Sequence, residues 1–389
     1  MRSAARRRPL GDAREDRSPV RSFVTAPPDT LLVASVLTLV AIGMVMIYSA
    51  SSVVAYSDHL DPAYYFKRQL IWLVVGGIAA FFAYRMDYHI LRKAAPYLLI
   101  ASVLGVAIVL VPHVGIVVNG ARRWIGASFV TLQPSEFAKL GLIVYLAAML
   151  TQRGERITQL SKGLVPLFVP VLLLALLVSR EPDQGTASLL VLVAFAMFFA
   201  AGARIPHLLA VLAVILPPMA LMVLKTPYQR ARVLAFLDPW KDPQNTGFHI
   251  VQALLALGSG GLAGAGLGAS RAKFFYLPEQ YTDFIFSVLG EELGWVGAVC
   301  VVVLFVVFAY RAIRIAVAAP DRFGFFLAIG CASLIVIQAF VNIGVVTSSW
   351  PVTGVPLPFI SFGGSSLVVN LVCFALIANV GRFRRVSAR

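Results

Sequence analysis

The sequence predicts an all-α, polytopic membrane protein with about ten transmembrane helices, both termini in the cytoplasm and one long extracytoplasmic loop. Three observations lead to this fold class. Hydrophobic residues make up 59% of the 389 residues and charged residues only 13%, about half the charged content of a soluble domain. Apolar runs long enough to cross about 30 Å of hydrocarbon recur along the chain. Lys and Arg collect in alternate connecting segments and at the termini, which sets the orientation.

The apolar runs define ten predicted spans. In chain order they are Leu31–Ser51, Phe66–Tyr84, Ala95–Pro112, Pro134–Leu150, Leu164–Ser179, Thr186–Ala201, Pro206–Leu224, Asp283–Tyr310, Phe323–Thr347 and Phe362–Val380. Residues 225–282, between the seventh and eighth spans, form the long outer loop. Residues 1–29 are basic and poor in apolar side chains, which predicts a disordered cytoplasmic tail. Residues 382–389 form a second basic cytoplasmic tail, so residues 30–381 make up one transmembrane domain.

Charge placement agrees with an N-terminus inside the cell, because most basic residues then fall in cytoplasmic segments. The net charge of +15 therefore reflects membrane topology and does not indicate nucleic-acid binding. Arg122 and Arg123 are exceptions, since they lie in the predicted outer loop Val114–Leu132. Basic residues resist translocation, so this pair predicts an anionic ligand at the outer face. For the basic residues of the 225–282 loop, the alternative is that a long loop tolerates charge regardless.

Acidic residues gather at the same predicted outer face. Glu136 and Lys139 are three residues apart on one helix face, where they either bind substrate or form a structural ion pair. Asp183 opens the sixth span, where it is either a site residue or a helix cap. Asp283 opens the eighth span, and Glu279 precedes it by about one turn. Carboxylates at a membrane boundary are costly and are usually retained for function.

Asp283 carries the strongest functional signal because aromatic residues flank it at the edge of an apolar segment. Desolvation there raises the pKa of a carboxyl group toward the range of a general base, and neighbouring basic residues lower it. Glu291 and Glu292 follow two turns later, although Gly294–Tyr310 alone is almost long enough to span a membrane. Residues 283–292 are therefore expected to line a cavity at the outer boundary.

Two further polar residues are interpreted as structural. His249 is the only histidine of the long loop and has no partner at metal-ligand spacing, which favours a structural role. Asn342 lies inside the ninth span, where an amide side chain typically bonds to another helix.

Several motifs together carry a family resemblance. They are Asn119–Ile125, Gln133–Leu140, Glu181–Thr186, Tyr228–Glu292 and Pro356–Ser366. Through them the chain resembles, from about residue 29 to 380, the SEDS family (shape, elongation, division and sporulation), the membrane glycosyltransferases of bacterial peptidoglycan. The family's usual His-Thr-Asp is Tyr281-Thr282-Asp283 here, which removes the histidine and keeps the aspartate. The segment Arg232–Asp242 resembles the division-type members more than the elongation-type members.

The resemblance implies an inverting glycosyltransferase of the bacterial cytoplasmic (inner) membrane, which polymerises lipid II into β-1,4 glycan strands for septal wall synthesis. It implies Asp283 as the catalytic base. The candidate substrate-binding residues are Arg122, Arg123, Glu136, Lys139, Asp183 and Glu279. Positive charge for the leaving pyrophosphate is expected from basic residues of this set or from a divalent cation, Mg²⁺ or Mn²⁺, held by carboxylates. The implied partners are a class B penicillin-binding protein, which is a single-span transpeptidase, and other division proteins.

Two other functions stay open from the sequence. A lipid II flippase would need a site near the bilayer midplane, often at broken helices related by repeats, whereas the acids here gather at one face and no clear inverted repeat is visible. A non-catalytic activator of a transpeptidase would tolerate the loss of Asp283.

Overall fold

The structure is a computed structural model and describes residues 27–118, 121–127, 130–274 and 277–383. Most of the two predicted cytoplasmic tails, residues 1–26 and 384–389, lies outside these ranges, as does part of the Asn119–Ile125 motif.

Twelve α-helices in the described part of the chain form the fold. They are α1 (Thr30–His59), α2 (Tyr64–Arg85), α3 (His89–Leu110), α4 (Pro134–Arg153), α5 (Val165–Arg180), α6 (Gln184–Ala200), α7 (Ile205–Lys225), α8 (Pro227–Leu237), α9 (Phe248–Ser259), α10 (Ile285–Val317), α11 (Arg322–Val346) and α12 (Gly364–Arg382). The predicted all-α membrane fold is confirmed. The long outer loop is itself partly helical, since it contains α8, α9 and a 3-10 turn, Pro239–Lys241.

Three short strands lie in the predicted outer loop Val114–Leu132, where the sequence pattern did not indicate them. They are β1 (Ile116–Val118), β2 (Ala121–Ala127) and β3 (Val130–Leu132), and they form an antiparallel sheet in the order β1-β2-β3. Arg122 pairs with Val117 across β1 and β2, and Ile125 pairs with Leu132 across β2 and β3. The sheet thus fixes the part of the loop that carries the two arginines.

The ten predicted spans each coincide with an observed helix. Within the described residues, eight helical segments are long and apolar enough to cross a membrane. Two shorter apolar segments, α6 and the part Ile205–Pro218 of α7, lie at the sixth and seventh predicted positions. Aspartate side chains cap the N-termini of three helices. Asp29, Asp183 and Asp321 each accept a hydrogen bond from the backbone amide three residues later. These caps begin α1, α6 and α11.

The centre of the bundle consists of α4, α11 and α12, which are the most buried of the spanning helices. α11 packs against α4, α6, α10 and α12, while α12 also packs along α2. Segments predicted to be cytoplasmic meet at one end. There Arg311 pairs with Asp29, and the Tyr88 hydroxyl donates to Asp321. The Asn379 amide donates to the carbonyl oxygens of Ala83, in the last turn of α2, and Met86, just after it.

A glycine breaks α10 near its outer end. Gly294 has φ 69° and ψ −171°, which separates a short outer half-helix, residues 285–293, from the long apolar remainder. A segment of the long loop takes over the interrupted hydrogen bonds. The amide of Trp295 donates to the carbonyl of Gly261 at 2.9 Å, and the amide of Ala265 donates to the carbonyl of Glu291 at 2.9 Å. The break coincides with the point where the sequence analysis separated residues 283–292 from the apolar span.

Candidate active site

Asp283 lies immediately before the outer half-helix of α10 and lines a cavity of about 410 Å³. The other walls come from the long loop and from the segment between α11 and α12. Arg232 of α8, His249 of α9, Glu279 and Val352 all face this space. The placement agrees with the expectation that the aspartate opens onto a cleft at the end of the bundle.

The backbone at Asp283 is held by neighbouring elements. The Asn342 amide group on α11 donates to the carbonyl oxygens of Asp283 and Val355, both at 2.8 Å. The Ser361 hydroxyl donates to the carbonyl oxygen of Thr282 at 2.6 Å. Asn342 therefore bonds between elements, as predicted, and one of its two partners is the residue proposed to act as the base.

The Asp283 carboxyl group is half-buried and close to an unusual backbone position. Gly354 has φ +76°, and a Cβ atom added there would lie 3.4 Å from Oδ2 of Asp283. Burial raises the pKa of Asp283 to about 7, and the charge of Glu279 adds to the rise, while Arg232 opposes it. Desolvation therefore outweighs the neighbouring cation, a balance that the sequence left open. A carboxyl group with a pKa near the working pH is suited to general-base catalysis.

Glu279 and His249 share this cavity. Glu279 is exposed, adopts φ 53° and accepts a hydrogen bond from the Thr282 hydroxyl at 2.8 Å. The His249 ring stacks on Phe284, with ring centroids 5.9 Å apart, and its buried Nδ1 has no hydrogen-bond partner among the described residues. Burial lowers the pKa of His249, and Arg232 lowers it further. The purely structural role predicted for His249 is thus incomplete, because a neutral imidazole faces the cavity.

Asp183 and Arg123 organise the turn between α5 and α6. Asp183 accepts a hydrogen bond from the amide of Thr186 at 3.0 Å and one from the Gln133 side chain at 3.2 Å. The first of these is the contact of a helix cap, which was one of the two roles considered for Asp183. The Arg123 guanidinium donates to the carbonyl oxygens of Glu181, at 3.0 Å, and Pro182. Two of its donors are therefore committed to backbone, which limits its use as an anion clamp. Both charges still act on the Asp283 carboxyl group, whose pKa Asp183 raises and Arg123 lowers.

Arg122 lies apart from the Asp283 cavity as the described residues define it. It is half-buried on β2, and its aliphatic carbons pack against Gly115. Its Nε is buried and finds no hydrogen-bond partner in the described ranges. The two arginines, which the sequence grouped as one predicted anion site, therefore have different surroundings. Arg123 binds the turn between α5 and α6, whereas Arg122 packs against Gly115.

Glu136 and Lys139 form a buried ion pair at the start of α4. Their Oε2 and Nζ atoms are 2.7 Å apart, and the side chains are only 4% and 2% exposed. Lys139 also contacts the Gln338 amide oxygen at 3.4 Å, and the Gln338 amide nitrogen donates to the carbonyl of Pro356 at 2.9 Å. Glu136 and Lys139 therefore have the contacts of a structural ion pair. Through Gln338 the pair links α4 to α11 and to the segment before α12.

Glu291 and Glu292 do not line the cavity, in contrast to the expectation for residues 283–292. Glu292 accepts from the Ser49 hydroxyl at 2.6 and 2.8 Å. Glu291 accepts from the amide of Arg271 at 2.9 Å and from the Ser270 hydroxyl. Their hydrogen bonds instead hold α1, through Glu292, and the long loop, through Glu291, against the outer half-helix.

Sequence reasoning missed two residues. Arg232 was one of several basic residues in the long loop, and only folding places it on the cavity wall opposite Asp283. Glu181 is fully buried, and neither of its carboxylate oxygens has a hydrogen-bond partner among the described residues. Burial raises the pKa of Glu181 to about 8, Asp183 raises it further, and Arg123 opposes the shift. Its position in the Glu181–Thr186 motif was the available signal.

The described residues do not bring three His, Cys, Asp or Glu side chains together in metal-ligand geometry. Mg²⁺ is often held by one or two carboxylates together with substrate phosphates. The donor set around Asp283 therefore does not form a complete protein cage for the divalent cation expected from the resemblance.

Comparisons with known proteins agree with this architecture. The family described as "FTSW_RODA_SPOVE: Cell cycle protein" matches residues 29–386. Stage V sporulation protein E of Bacillus subtilis (strain 168) is 45% identical over 92% of this chain and 98% of its own length. A protein of Trichlorobacter lovleyi named "Probable peptidoglycan glycosyltransferase FtsW" is 43% identical over 92% of this chain and 94% of its own.

Two solved structures share the fold. A chain of the structure named "Structural coordination of polymerization and crosslinking by a peptidoglycan synthase complex" is 34% identical, with a TM-score of 0.77, over 92% of this chain and 98% of the solved chain. The rod shape determining protein RodA of Thermus thermophilus is 30% identical, with a TM-score of 0.68, over the same two fractions. With the family match across nearly the whole transmembrane domain, these likenesses confirm the predicted resemblance. The chain belongs to the FtsW/RodA/SpoVE family of cell cycle proteins, the SEDS family.

Proposed function

We propose that this chain is a peptidoglycan glycosyltransferase that polymerises lipid II into β-1,4 glycan strands at the outer face of the bacterial inner membrane, in septal wall synthesis. One observation carries the proposal. Asp283, with a pKa raised to about 7, lines a cavity at the end of the bundle where the predicted outer segments meet. The relatives named as peptidoglycan glycosyltransferases support the same activity.

The reaction needs one base. The 4-hydroxyl of the GlcNAc unit of an incoming lipid II attacks the anomeric carbon of the MurNAc unit at the end of the growing strand. Asp283 takes the hydroxyl proton as the new carbon–oxygen bond forms, and the bond to the lipid pyrophosphate breaks with its electron pair. A single displacement converts the α-linked pyrophosphate to a β-1,4 link. One carboxylate therefore suffices, in contrast to the paired carboxylates of glycosidases.

The leaving pyrophosphate gains negative charge, which a positioned cation stabilises. Arg232 lies on the cavity wall with Asp283 and fits this role better than Lys139, which is buried in its ion pair, or Arg123, which holds a turn. A guanidinium group also matches phosphate geometry well. The divalent cation stays a separate proposal, and the steps above use side chains alone.

A second cavity supports a lipid-linked substrate. It has a volume of about 430 Å³ and is lined almost entirely by apolar side chains of α2, α3, α4 and α12. Its lining extends from Ala83 and Met86, near the cytoplasmic end, to Leu132 and Pro134, near the outer end. Such a groove along the spanning helices fits a long hydrocarbon chain.

A transpeptidase partner is part of the proposal. One of the similar solved structures is named "Structural coordination of polymerization and crosslinking by a peptidoglycan synthase complex". By analogy, a class B penicillin-binding protein would crosslink the strands that this chain makes, together with other division proteins.

The test is Asp283→Asn in proteoliposomes with labelled lipid II and the transpeptidase partner. General-base catalysis contributes about 10²–10⁴-fold, so polymer formation should fall by at least about 100-fold. Asp61→Asn is the matched control. It removes an exposed carboxylate paired with Lys67 at 2.8 Å, a contact of a kind worth about 0–1 kcal/mol, and should leave synthesis intact. Normal synthesis by folded Asp283→Asn protein would exclude the assignment, and movement of fluorescent lipid II without polymer would favour a flippase.

A further inference from the structure

Helix α8, which follows α7 in the long loop, carries an exposed stripe. Arg230, Leu234 and Leu237 are spaced i, i+4 and i+7, which places them within about 60° of one another around the helix. Leu234 is 54% exposed and Leu237 is 71% exposed, and Trp240 in the 3-10 turn that follows is 58% exposed. Arg230, Leu234 and Leu237 therefore share one uncovered face of α8 and exposed Trp240 follows it in the chain, and we call these four residues the α8 stripe.

The opposite face of α8 belongs to the candidate active site. Ala231, Arg232 and Ala235 lie on that face and line the Asp283 cavity. Arg232 also contacts the carbonyl of Val352 across the cavity at 3.4 Å. The helix is thus a wall with the proposed reaction on one side and an unpacked apolar surface on the other.

The position of α8 in the chain indicates what covers this surface. α7 ends at Lys225 and α8 begins at Pro227, so α8 starts where an apolar helix leaves the hydrocarbon. With 11 residues it is about 16 Å long, too short to cross a bilayer. Lys225 and Lys241, which bracket α8, are both exposed. Helices that lie in the membrane interface combine basic side chains with Leu and Trp in this way.

We infer that α8 is an interfacial anchor that lies in the outer leaflet, with Leu234, Leu237 and Trp240 inserted among the lipids and its basic side chains at the phosphates of anionic headgroups. The occupant is a lipid surface because apolar and basic groups lie together at the end of an apolar helix. The consequence for catalysis rests on the proposed function. The anchor holds Arg232 and the cavity wall at the depth where a lipid-linked pyrophosphate lies.

Quenching of tryptophan fluorescence tests the anchor without any substrate. The full chain is reconstituted without partners into phosphatidylglycerol vesicles with or without lipids brominated on the acyl chains, and the signal of Trp240 is obtained by subtracting a Trp240→Phe variant. We expect bromination to reduce the Trp240 emission about twofold or more, since bromine quenches at short range within the bilayer. Phosphatidylcholine vesicles should give weaker quenching because they lack the anionic attraction.

Leu234→Asp with Leu237→Asp should abolish the quenching of Trp240. Leu60→Asp is the matched control, since Leu60 is 80% exposed in the connection between α1 and α2 and its φ of 57° suits Asp. Polymer formation should fall in the double variant and stay unchanged in the control.

Three outcomes would overturn the inference. Trp240 emission that does not respond to brominated lipid would exclude an anchor, and equal quenching in the two lipids would exclude the electrostatic part. Quenching by aqueous iodide that disappears only when the transpeptidase is added would identify the α8 stripe as a protein-docking surface. Because quenching needs no turnover, these results are independent of the Asp283→Asn test.

Discussion

Asp283 lies just before the short outer half-helix of α10 and Glu292 lies near the other end of it, yet their carboxyl groups have opposite surroundings. Glu292 is enclosed and accepts two short contacts from the Ser49 hydroxyl. Asp283 opens onto a cavity, and burial holds its pKa at about 7. One carboxylate is satisfied by hydrogen bonds and the other has its carboxyl group turned toward a space that a substrate can enter.

The contrast shows that carboxyl groups in one protein can serve either to hold the fold together or to transfer a proton. Hydrogen bonds to the ionised form stabilise a buried carboxylate and remove its need for a proton. A desolvated carboxyl group without such bonds retains a high proton affinity, which a general base needs. Glu136 belongs to the satisfied class through Lys139. Glu181 resembles Asp283 in that burial raises its pKa, but it is fully enclosed and does not line the cavity.

The largest expected effect on stability comes from Lys139→Met. The change leaves the Glu136 charge buried without its cation, and removing one partner of a buried pair costs about 3–5 kcal/mol. Thermal unfolding in detergent micelles would measure the loss. Lys67→Met is the control, because its ion pair with Asp61 has a similar length but is exposed and should contribute less than about 1 kcal/mol. Adding Glu136→Gln to Lys139→Met should recover stability, and a double variant as unstable as Lys139→Met would contradict this account.

A smaller loss of stability is expected from Glu292→Gln. The amide keeps one acceptor oxygen but loses charge-assisted bonds to Ser49 and to the loop backbone, a change worth about 1–3 kcal/mol. The folded fraction should still make polymer at nearly the native rate when assayed with labelled lipid II. A fully folded but inactive Glu292→Gln protein would place this residue in the chemistry and erase the contrast with Asp283.

The pH dependence of Asp283 should be visible in both rate and stability. Below its pKa of about 7 the basic form declines about tenfold per pH unit, so polymerisation should rise with pH and level off above about pH 8. The folded-state pKa is above the unfolded value of about 3.9, so ionisation destabilises the fold as pH rises from about 4 to 7. Asp283→Asn should therefore be more stable than the parent at pH 8, and the two should converge near pH 4. A stability difference that does not change with pH would contradict a raised pKa.

The smallest loss of stability is expected from Glu181→Gln. With a pKa of about 8, Glu181 is protonated in the folded protein at neutral pH, and near pH 4, where the unfolded chain is protonated too, an amide of the same shape should change stability by less than about 0.5 kcal/mol. From about pH 4.5 to pH 8 the variant should become progressively more stable than the parent, because the unfolded parent ionises in this range while the folded parent keeps its proton. Calorimetry or thermal unfolding across this range would measure both. A large loss of stability at pH 6 would mean that Glu181 is ionised and paired.

Much of the fold was predictable because hydropathy and charge act locally along the chain. The ten spans follow from hydropathy. The spacing of Glu136 and Lys139, and of Asp183 and Thr186, offered the ion pair and the helix cap as alternatives to substrate binding. The role of Arg123 did not follow from the sequence, because its carbonyl partners lie 58 and 59 residues away. The same is true of Arg232, which only the folding of the long loop brings to Asp283. The sheet of β1, β2 and β3 was not predicted, because its strands are short and β2 contains the two charged residues Arg122 and Arg123.

The break at Gly294 makes α10 a jointed element. Its outer half is hydrogen-bonded to the loop that carries Gly264, while the longer half belongs to the bundle. Any Cβ at Gly294 would overlap backbone atoms of that loop. The outer half is about 13 Å long, and Asp283 lies just beyond its far end. The close contact between Gly264 and Gly294 therefore sets the position of the reactive carboxyl group at the outer end of the bundle. A larger side chain at either glycine would displace the base from its substrate.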